Sequence, residues 1–198
     1  MTIDEIESAT EPFTPFQSWM SDAERSEPND PNAAALATAD QYGSPSVRMV
    51  LVKRVDQLGF CFFTNSESRK GMDLAANPRA ALCFYWKSLQ KQVRVEGHVV
   101  ELPTQDVDAY FHSRSRGSQL GASVSRQSRP LKSREELEEL VAEVTANTSG
   151  EVPRPPWWKG YAIRPERIEF WAAGENRLHD RIAFLREEDG WRRQRLFP

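Results

Sequence analysis

The chain is 198 residues long, 39% apolar and 28% charged, with a formal net charge of −3. That size suits one domain around one core, and the composition excludes a disordered or collagen-like chain. The longest stretches without a charged side chain, Pro12–Ser21 and Gln57–Ser66, are ten residues each, well short of the roughly twenty that cross a bilayer. The start, Met1–Glu7, lacks the basic and apolar regions of a secretion signal. A cytoplasmic protein without a membrane span is expected.

Residues 1–30 carry eight acidic side chains and only Arg25 on the basic side, −7 in all, so with a total of −3 residues 31–198 hold +4. The reading is an acidic leader (1–30) before a mildly basic body (31–198). A surplus of four is too small for a nucleic-acid footprint and suits small anions held by a few placed cations. Proline punctuates the leader, whose one predicted helix runs from about Phe16 to Arg25 with Phe16, Trp19 and Met20 on one face. Strand patterns follow at Ala34–Ala39, Pro45–Val55 and Gly59–Thr64, separated by the turn clusters at 40–43 and 56–59, which implies two hairpins.

A short helix from about Ser68 to Ala76 ends at Asn77-Pro78, and strands return at 80–87 and 90–102. After Pro103 the periodicity is helical, with Val107, Tyr110 and Phe111 on one face. His112–Ser128 is polar and contains glycine, and Ser133 with Glu136 forms a capping box before Leu137, Leu140, Val141 and Val144. The Pro-rich Val152–Pro156 is linker-like, and three further strands are expected at 163–172, 181–186 and 191–196. About seven antiparallel strands with helices inserted late predict a mainly β fold with packed helices, an α+β barrel.

Cys61 and Cys83 lie in apolar runs and read as buried free thiols, and the three histidines have no zinc-ligand spacing, so no metal is expected. Four clusters bear on chemistry. Arg69 and Lys70 behind a capping Ser68 place two cations at the positive end of a helix, unfavourable by roughly 0.3–1 kcal/mol each unless an anion sits there; otherwise they are solvated cations in a frayed turn. Arg48 and Lys53, five apart, project to opposite faces of a regular strand. Tyr110, Arg114 and Ser118, spaced i, i+4, i+8, offer three donors to one phosphate, either from one helix or, because Gly117 interrupts, from two; a polar surface loop is the bland alternative. Arg177, His179 and Arg181 share one face of any extended segment, so a ligand or simple exposure must relieve their repulsion.

In order, Ser26–Asn32, Arg48–Lys53, Phe63-Thr64-Asn65 with Ser68–Gly71, Asn77–Ala80, Gln92–Gly97, Arg116–Ser118, Arg126–Ser128, Phe170-Trp171, Asn176–Arg181 and Arg195–Pro198 resemble the pyridoxamine/pyridoxine 5′-phosphate oxidase family. The resemblance runs from Glu27 to Pro198. It implies an FMN-binding split β-barrel at 31–198, a homodimer with FMN at the subunit interface, and oxidation of pyridoxamine or pyridoxine 5′-phosphate by FMN with O2 as final acceptor. It assigns FMN contacts to Arg48, Met49, Val50, Leu51, Val52, Lys53, Phe63, Thr64, Arg69, Lys70, Gln92, Gln127, Ser128, Trp171 and Arg181. Substrate contacts fall on Lys53, Tyr110, Arg114, Ser118, Arg177 and His179, the last two as the catalytic pair. Ala172–Glu175 departs from the family's usual Gln-Gly-Arg-Pro-like turn. Rival readings are a phenazine-pathway flavin oxidase, whose substrate has no phosphate, and a non-catalytic split-barrel module.

Overall fold

The computed structural model describes residues 1–198. Helices α1 (Ile3–Ser8) and α2 (Phe13–Ser26) precede two hairpins, β1 (Ala33–Ala39) with β2 (Pro45–Leu51) and β3 (Arg54–Asp56) with β4 (Gly59–Asn65). Helix α3 (Arg69–Ala76) leads to β5 (Arg79–Trp86) and β6 (Lys91–Glu101). Helices α4 (Thr104–Ser113), α5 (Arg116–Val124) and α6 (Arg134–Asn147) come next, then β7 (Trp158–Ala172), one 3-10 turn at Glu175–Arg177, β8 (Asp180–Glu187) and β9 (Gly190–Arg195). No helix is long and apolar enough to cross a membrane.

Four elements differ from expectation. The single strand expected at Pro45–Val55 is two, β2 and β3, because Val52 between them turns its side chain into the core while Asn32 holds its N–H and C=O, and the sheet has nine strands where about seven were expected. The leader holds two helices, because Thr2 and Glu5 close a capping box around a segment too short to show helical periodicity. Helix α5 interrupts the polar stretch, started by Ser115, whose side chain accepts from the Ser118 N–H. Strand β7 begins at Trp158, five residues earlier than expected, pairing Trp158–Ile163 with β4.

All strand pairs are antiparallel, in the order β2-β1-β5-β6-β7-β4-β3. One edge of β7 is covered by β6 from Tyr161 to Ala172. The other changes partner: β4 takes Trp158–Ile163 and β8 takes Arg167–Ala172. Pro165 lies in the gap and has no N–H to offer a ladder. Opposite it, β6 carries a bulge at Glu96/Gly97, and a Cβ on Gly97 would stand 2.0 Å from the Arg164 carbonyl oxygen. The sheet therefore curls and divides at this point. Gly97→Ala is expected to cost about 1–3 kcal/mol by overpacking, seen as a Tm lower by several degrees. Gly121→Ala, where a Cβ meets nothing within 4 Å, should leave Tm level or raise it.

The leader is built into the core. Ile6, Phe16, Trp19 and Ala23 are fully buried, with the Phe16 ring edge-on to Phe60 at 4.9 Å and Phe84 at 5.2 Å, and Trp19 edge-on to Phe170 at 5.3 Å. Burying Phe16 and Trp19 stabilises the docked helix by roughly 2–3 kcal/mol each before ordering costs. Leader acids meet body cations: Glu7 accepts from Arg195 at 2.6 Å and Asp22 pairs with Lys91 at 3.4 Å. The lopsided charge along the sequence is thus folded back on itself.

Candidate active site

Helix α3 presents the first cation group. Ser68 is its N-cap, as expected: the side chain accepts from the Gly71 N–H and donates to the Asn65 carbonyl at 2.6 Å. A Cβ on Gly71 would fall 2.2 Å from the Ser66 carbonyl oxygen, so glycine is what lets the turn close. Lys70 is only 8% exposed. Its ammonium donates to Gln127 Oε1 at 2.7 Å and to Thr64 Oγ1 and Ser68 Oγ at 3.2 Å each. All three acceptors are neutral. Burial, and then the nearby Arg48 guanidinium, push the Lys70 pKa down to about 8. A buried cation ringed by neutral oxygens still needs a negative charge.

Arg48 stands behind Lys70. It donates to Thr38 Oγ1 at 2.7 Å, to the Leu36 carbonyl at 3.2 Å and to Ser46 Oγ. Buried Asp73 accepts from Thr38 at 2.6 Å and Ser46 at 2.9 Å, fixing that fence of hydroxyls. Arg69 is exposed on the first turn of α3. Gln127 reaches Lys70 from the loop after α5, and Ser128 beside it has φ 72.

A cleft of about 450 Å³ opens from this cradle, lined by Met49, Val50, Leu51, Lys53, Phe63, Thr64, Lys70, Tyr110, Arg114, Ser115, Ser118, Gln127 and Trp158. It holds three cations and no carboxylate. Its floor is aromatic: Phe63 stacks on Tyr110 at 4.0 Å and on Trp158 at 5.3 Å. Val52 differs from its neighbours, for its side chain is in the core and its N–H and C=O are both held by Asn32.

Two helices, not one, align Tyr110, Arg114 and Ser118. Helix α4 ends at Arg114 and α5 is capped by Ser115, which lies 2.9 Å from the Ser118 hydroxyl. Gln119, almost fully buried, donates to the His112 carbonyl at 3.2 Å and the Arg114 carbonyl at 2.8 Å, locking the corner. Arg114 sits over Trp158, 5.1 Å from the ring centroid. Its Nη1 is buried without a hydrogen-bond partner, and burial lowers its pKa. A guanidinium with one nitrogen unpaired, on a residue that lines a carboxylate-free cleft, suits an anion pocket.

Gln92, Trp171, Arg177, His179 and Arg181 lie elsewhere. Gln92, Trp171 and Arg181 are neighbours in one row across β6, β7 and β8, and His179 packs on Trp171 at 4.6 Å. Trp158 lines the cleft, and Trp171 lies thirteen residue steps further along β7, roughly 43 Å of contour. Arg177, His179 and Arg181 do not share a strand face, because Arg177 lies in the 3-10 turn with φ 64. Arg181 is neutralised by Glu169, which accepts from its Nε and Nη2 at 2.9 and 2.7 Å. Glu169 is buried, which favours its neutral form, but hydrogen bonds from Arg167 and Arg181 outweigh this and hold its pKa below the usual value. Arg177 itself is exposed.

Sequence reasoning missed Trp158, Ser115, Gln119, Asp73 and Glu169. Only Ser115, three residues before the hydroxyl of Ser118, carried a local signal, that of an N-cap.

A curled antiparallel sheet dividing along one strand, with an anion cleft at one end of that strand, is a split barrel. The same fold occurs in a pyridoxamine 5′-phosphate oxidase-related, FMN-binding protein from Nostoc punctiforme, with a TM-score of 0.75 at 17% identity over 96% of this chain and 100% of that one. Residues 20–148 match the family described as pyridoxamine 5′-phosphate oxidase, and residues 158–198 match the pyridoxine 5′-phosphate oxidase C-terminal dimerisation region. The pyridoxine/pyridoxamine 5′-phosphate oxidase of Anaeromyxobacter dehalogenans is 57% identical over 192 residues, 96% of this chain and 97% of the relative. PhzG from Burkholderia lata 383, solved in complex with tetrahydrophenazine-1-carboxylic acid, is 35% identical with a TM-score of 0.90 over 96% of this chain and 94% of that one. The chain belongs to the pyridoxamine 5′-phosphate oxidase family and is an oxidoreductase.

Proposed function

We propose that the protein is a cytoplasmic homodimer that oxidises pyridoxamine and pyridoxine 5′-phosphate to pyridoxal 5′-phosphate, with FMN as cofactor and O2 as final electron acceptor. The observation that carries this reading is the separation along β7: an anion cleft at one end and Arg177 with His179 at the other. One chain has half of each site, and a two-fold partner supplies the rest. Edge strand β2 offers a face for it, with Val47 68%, Met49 63% and Leu51 38% exposed.

The residues fit two phosphate esters. Lys70, Thr64, Arg48, Arg69 and Gln127 would hold that of FMN, and Lys53, Tyr110, Arg114 and Ser118 that of the substrate. FMN held there would supply hydride-accepting chemistry at the substrate's C4′ carbon, with O2 reduced to hydrogen peroxide; the alcohol would give the aldehyde directly, and the amine would give an imine that water hydrolyses with release of ammonia. The chain's own part is placement. Arg114 and Lys53 fix the dianionic end of the substrate, the Phe63–Tyr110–Trp158 stack walls the cleft against water, and Arg177 and His179 from the partner close over the reacting end. Positioning of this kind contributes up to about 7–11 kcal/mol in favourable cases.

The phenazine reading has its own support, the 35% identity to PhzG. Three cations, Lys53, Lys70 and Arg114, in a cleft without a carboxylate suit a doubly charged phosphate ester better than a singly charged carboxylate.

Subunit complementation tests the proposal. A chain with Lys53→Ala and Arg114→Ala and a chain with Arg177→Ala and His179→Asn are each expected to be nearly inactive. If dimers re-form at random after mixing, about half are mixed and each has one intact site, so roughly a quarter of full activity returns. A mixture no more active than its parts places both halves in one subunit and sinks the reading.

A further inference from the structure

A role for the His179 ring rests on the oxidase reading, in which it lies against the reacting end of the substrate. The chain leaves β7 at Ala172, makes the 3-10 turn and re-enters the sheet at Asp180. In closing that loop the Gly174 backbone N–H donates to His179 Nδ1 at 3.1 Å. The ring is pinned on its other side by Trp171, tilted at 47°. Glycine is what permits this approach, since a Cβ on Gly174 would lie 2.0 Å from the Leu178 carbonyl oxygen. The turn is also costly: Asn176 and Arg177 both have left-handed backbone, φ 54 and 64, and successive non-glycine residues there persist only where the surroundings enforce them.

A backbone N–H is only ever a donor, so Nδ1 must accept through its lone pair. A neutral imidazole carries one hydrogen, and the hydrogen bond made by one nitrogen decides which nitrogen holds it. Here that is Nε2. The nearby carboxylates are otherwise engaged, Asp180 by Arg195 and Glu169 by Arg167 and Arg181.

We propose that Gly174 fixes His179 in the Nε2–H tautomer, so that the ring meets the substrate as a hydrogen-bond donor to an acceptor oxygen and does not receive the proton released at the reacting carbon. Gly174 is then a positioning residue acting through its backbone. Substrate groups opposite His179 are selected for a lone pair.

The test is a long-range 1H–15N correlation on the FMN-loaded dimer labelled at histidine, with His179→Asn assigning the signal among the three histidines. At pH values where the ring is neutral, Nδ1 of His179 is expected at the position of a bare nitrogen and Nε2 at that of a protonated one. The opposite pattern, in an enzyme that turns over, overturns the inference. Kinetics supply a second arm. His179→Gln, whose amide N–H reaches the Nε2 position, should keep kcat/KM within about threefold, whereas His179→Asn should lose roughly 10- to 100-fold. Equal losses in the two variants, or a better Asn variant, count against a donor role. Failure of the oxidase reading shows differently, as no turnover of pyridoxamine 5′-phosphate by the unmodified enzyme.

Discussion

Lys70→Met is expected to weaken FMN binding by roughly 10- to 150-fold, the equivalent of about 1.5–3 kcal/mol for a charge-assisted hydrogen bond, while making the flavin-free protein more stable. Both effects follow from one environment. The ammonium is buried among Thr64, Ser68 and Gln127, none of them negative, so without a bound anion its charge is a liability that methionine removes while keeping the stem's bulk. The pH dependence has matching signs. Folding lowers the Lys70 pKa from 10.5 to about 8, so between those values the unfolded chain binds more protons than the folded one. This group's contribution to the stability of the flavin-free protein therefore rises with pH across that window. FMN affinity moves the other way, falling as pH passes about 8 and the cation is lost. Fluorescence titration of FMN from pH 7 to 9, beside thermal melts, reads both slopes. In Lys70→Met both should flatten, and unchanged flavin affinity in that variant would show that the phosphate binds elsewhere.

Arg114→Ala is expected to lower kcat/KM for pyridoxamine 5′-phosphate by roughly 30- to 1000-fold, about 2–4 kcal/mol, through KM more than kcat. The buried Nη1 has no partner within the protein, so its hydrogen bond is made only when a ligand arrives, and the stack on Trp158 holds the fork in place beforehand. Arg114→Lys should recover only part of the loss, because a point charge does not reproduce a bidentate fork. The control is unphosphorylated pyridoxamine, whose poor turnover should be nearly the same in wild type and variant. A parallel loss on both substrates would detach Arg114 from the phosphate and strengthen the phenazine alternative.

Local patterns made most of the fold legible. Turn clusters at 40–43 and 56–59 marked the two hairpins, and Ser68 marked the start of α3. The cleft was half legible. Lys70 was marked by a conflict visible in three adjacent residues, two cations at the positive end of a helix, and the structure brings it into the cleft while leaving Arg69 exposed. Tyr110, Arg114 and Ser118 announced their alignment but not its cause, since the corner depends on Gln119 reaching back to two carbonyls. Glu169 was silent, because one acid in an alternating strand looks like any solvated position until Arg181 and Arg167 arrive from the neighbouring strand and its own. The supposed row of Arg177, His179 and Arg181 failed for a backbone reason: two residues with positive φ break the extended segment on which period two relies.

Strand β7 also works as a ruler. Its cleft end carries Trp158 and its far end Trp171, and a strand's register admits only whole-residue steps, each turning side chains to the opposite face. Deleting a single residue between Arg167 and Phe170 would rotate Trp171 out of its row and pull His179 with it, while leaving the β4 half untouched. Sequences that keep this function should therefore tolerate substitution along β7 far better than any change in its length, and length variation should collect instead in the loops that join α5, α6 and β7.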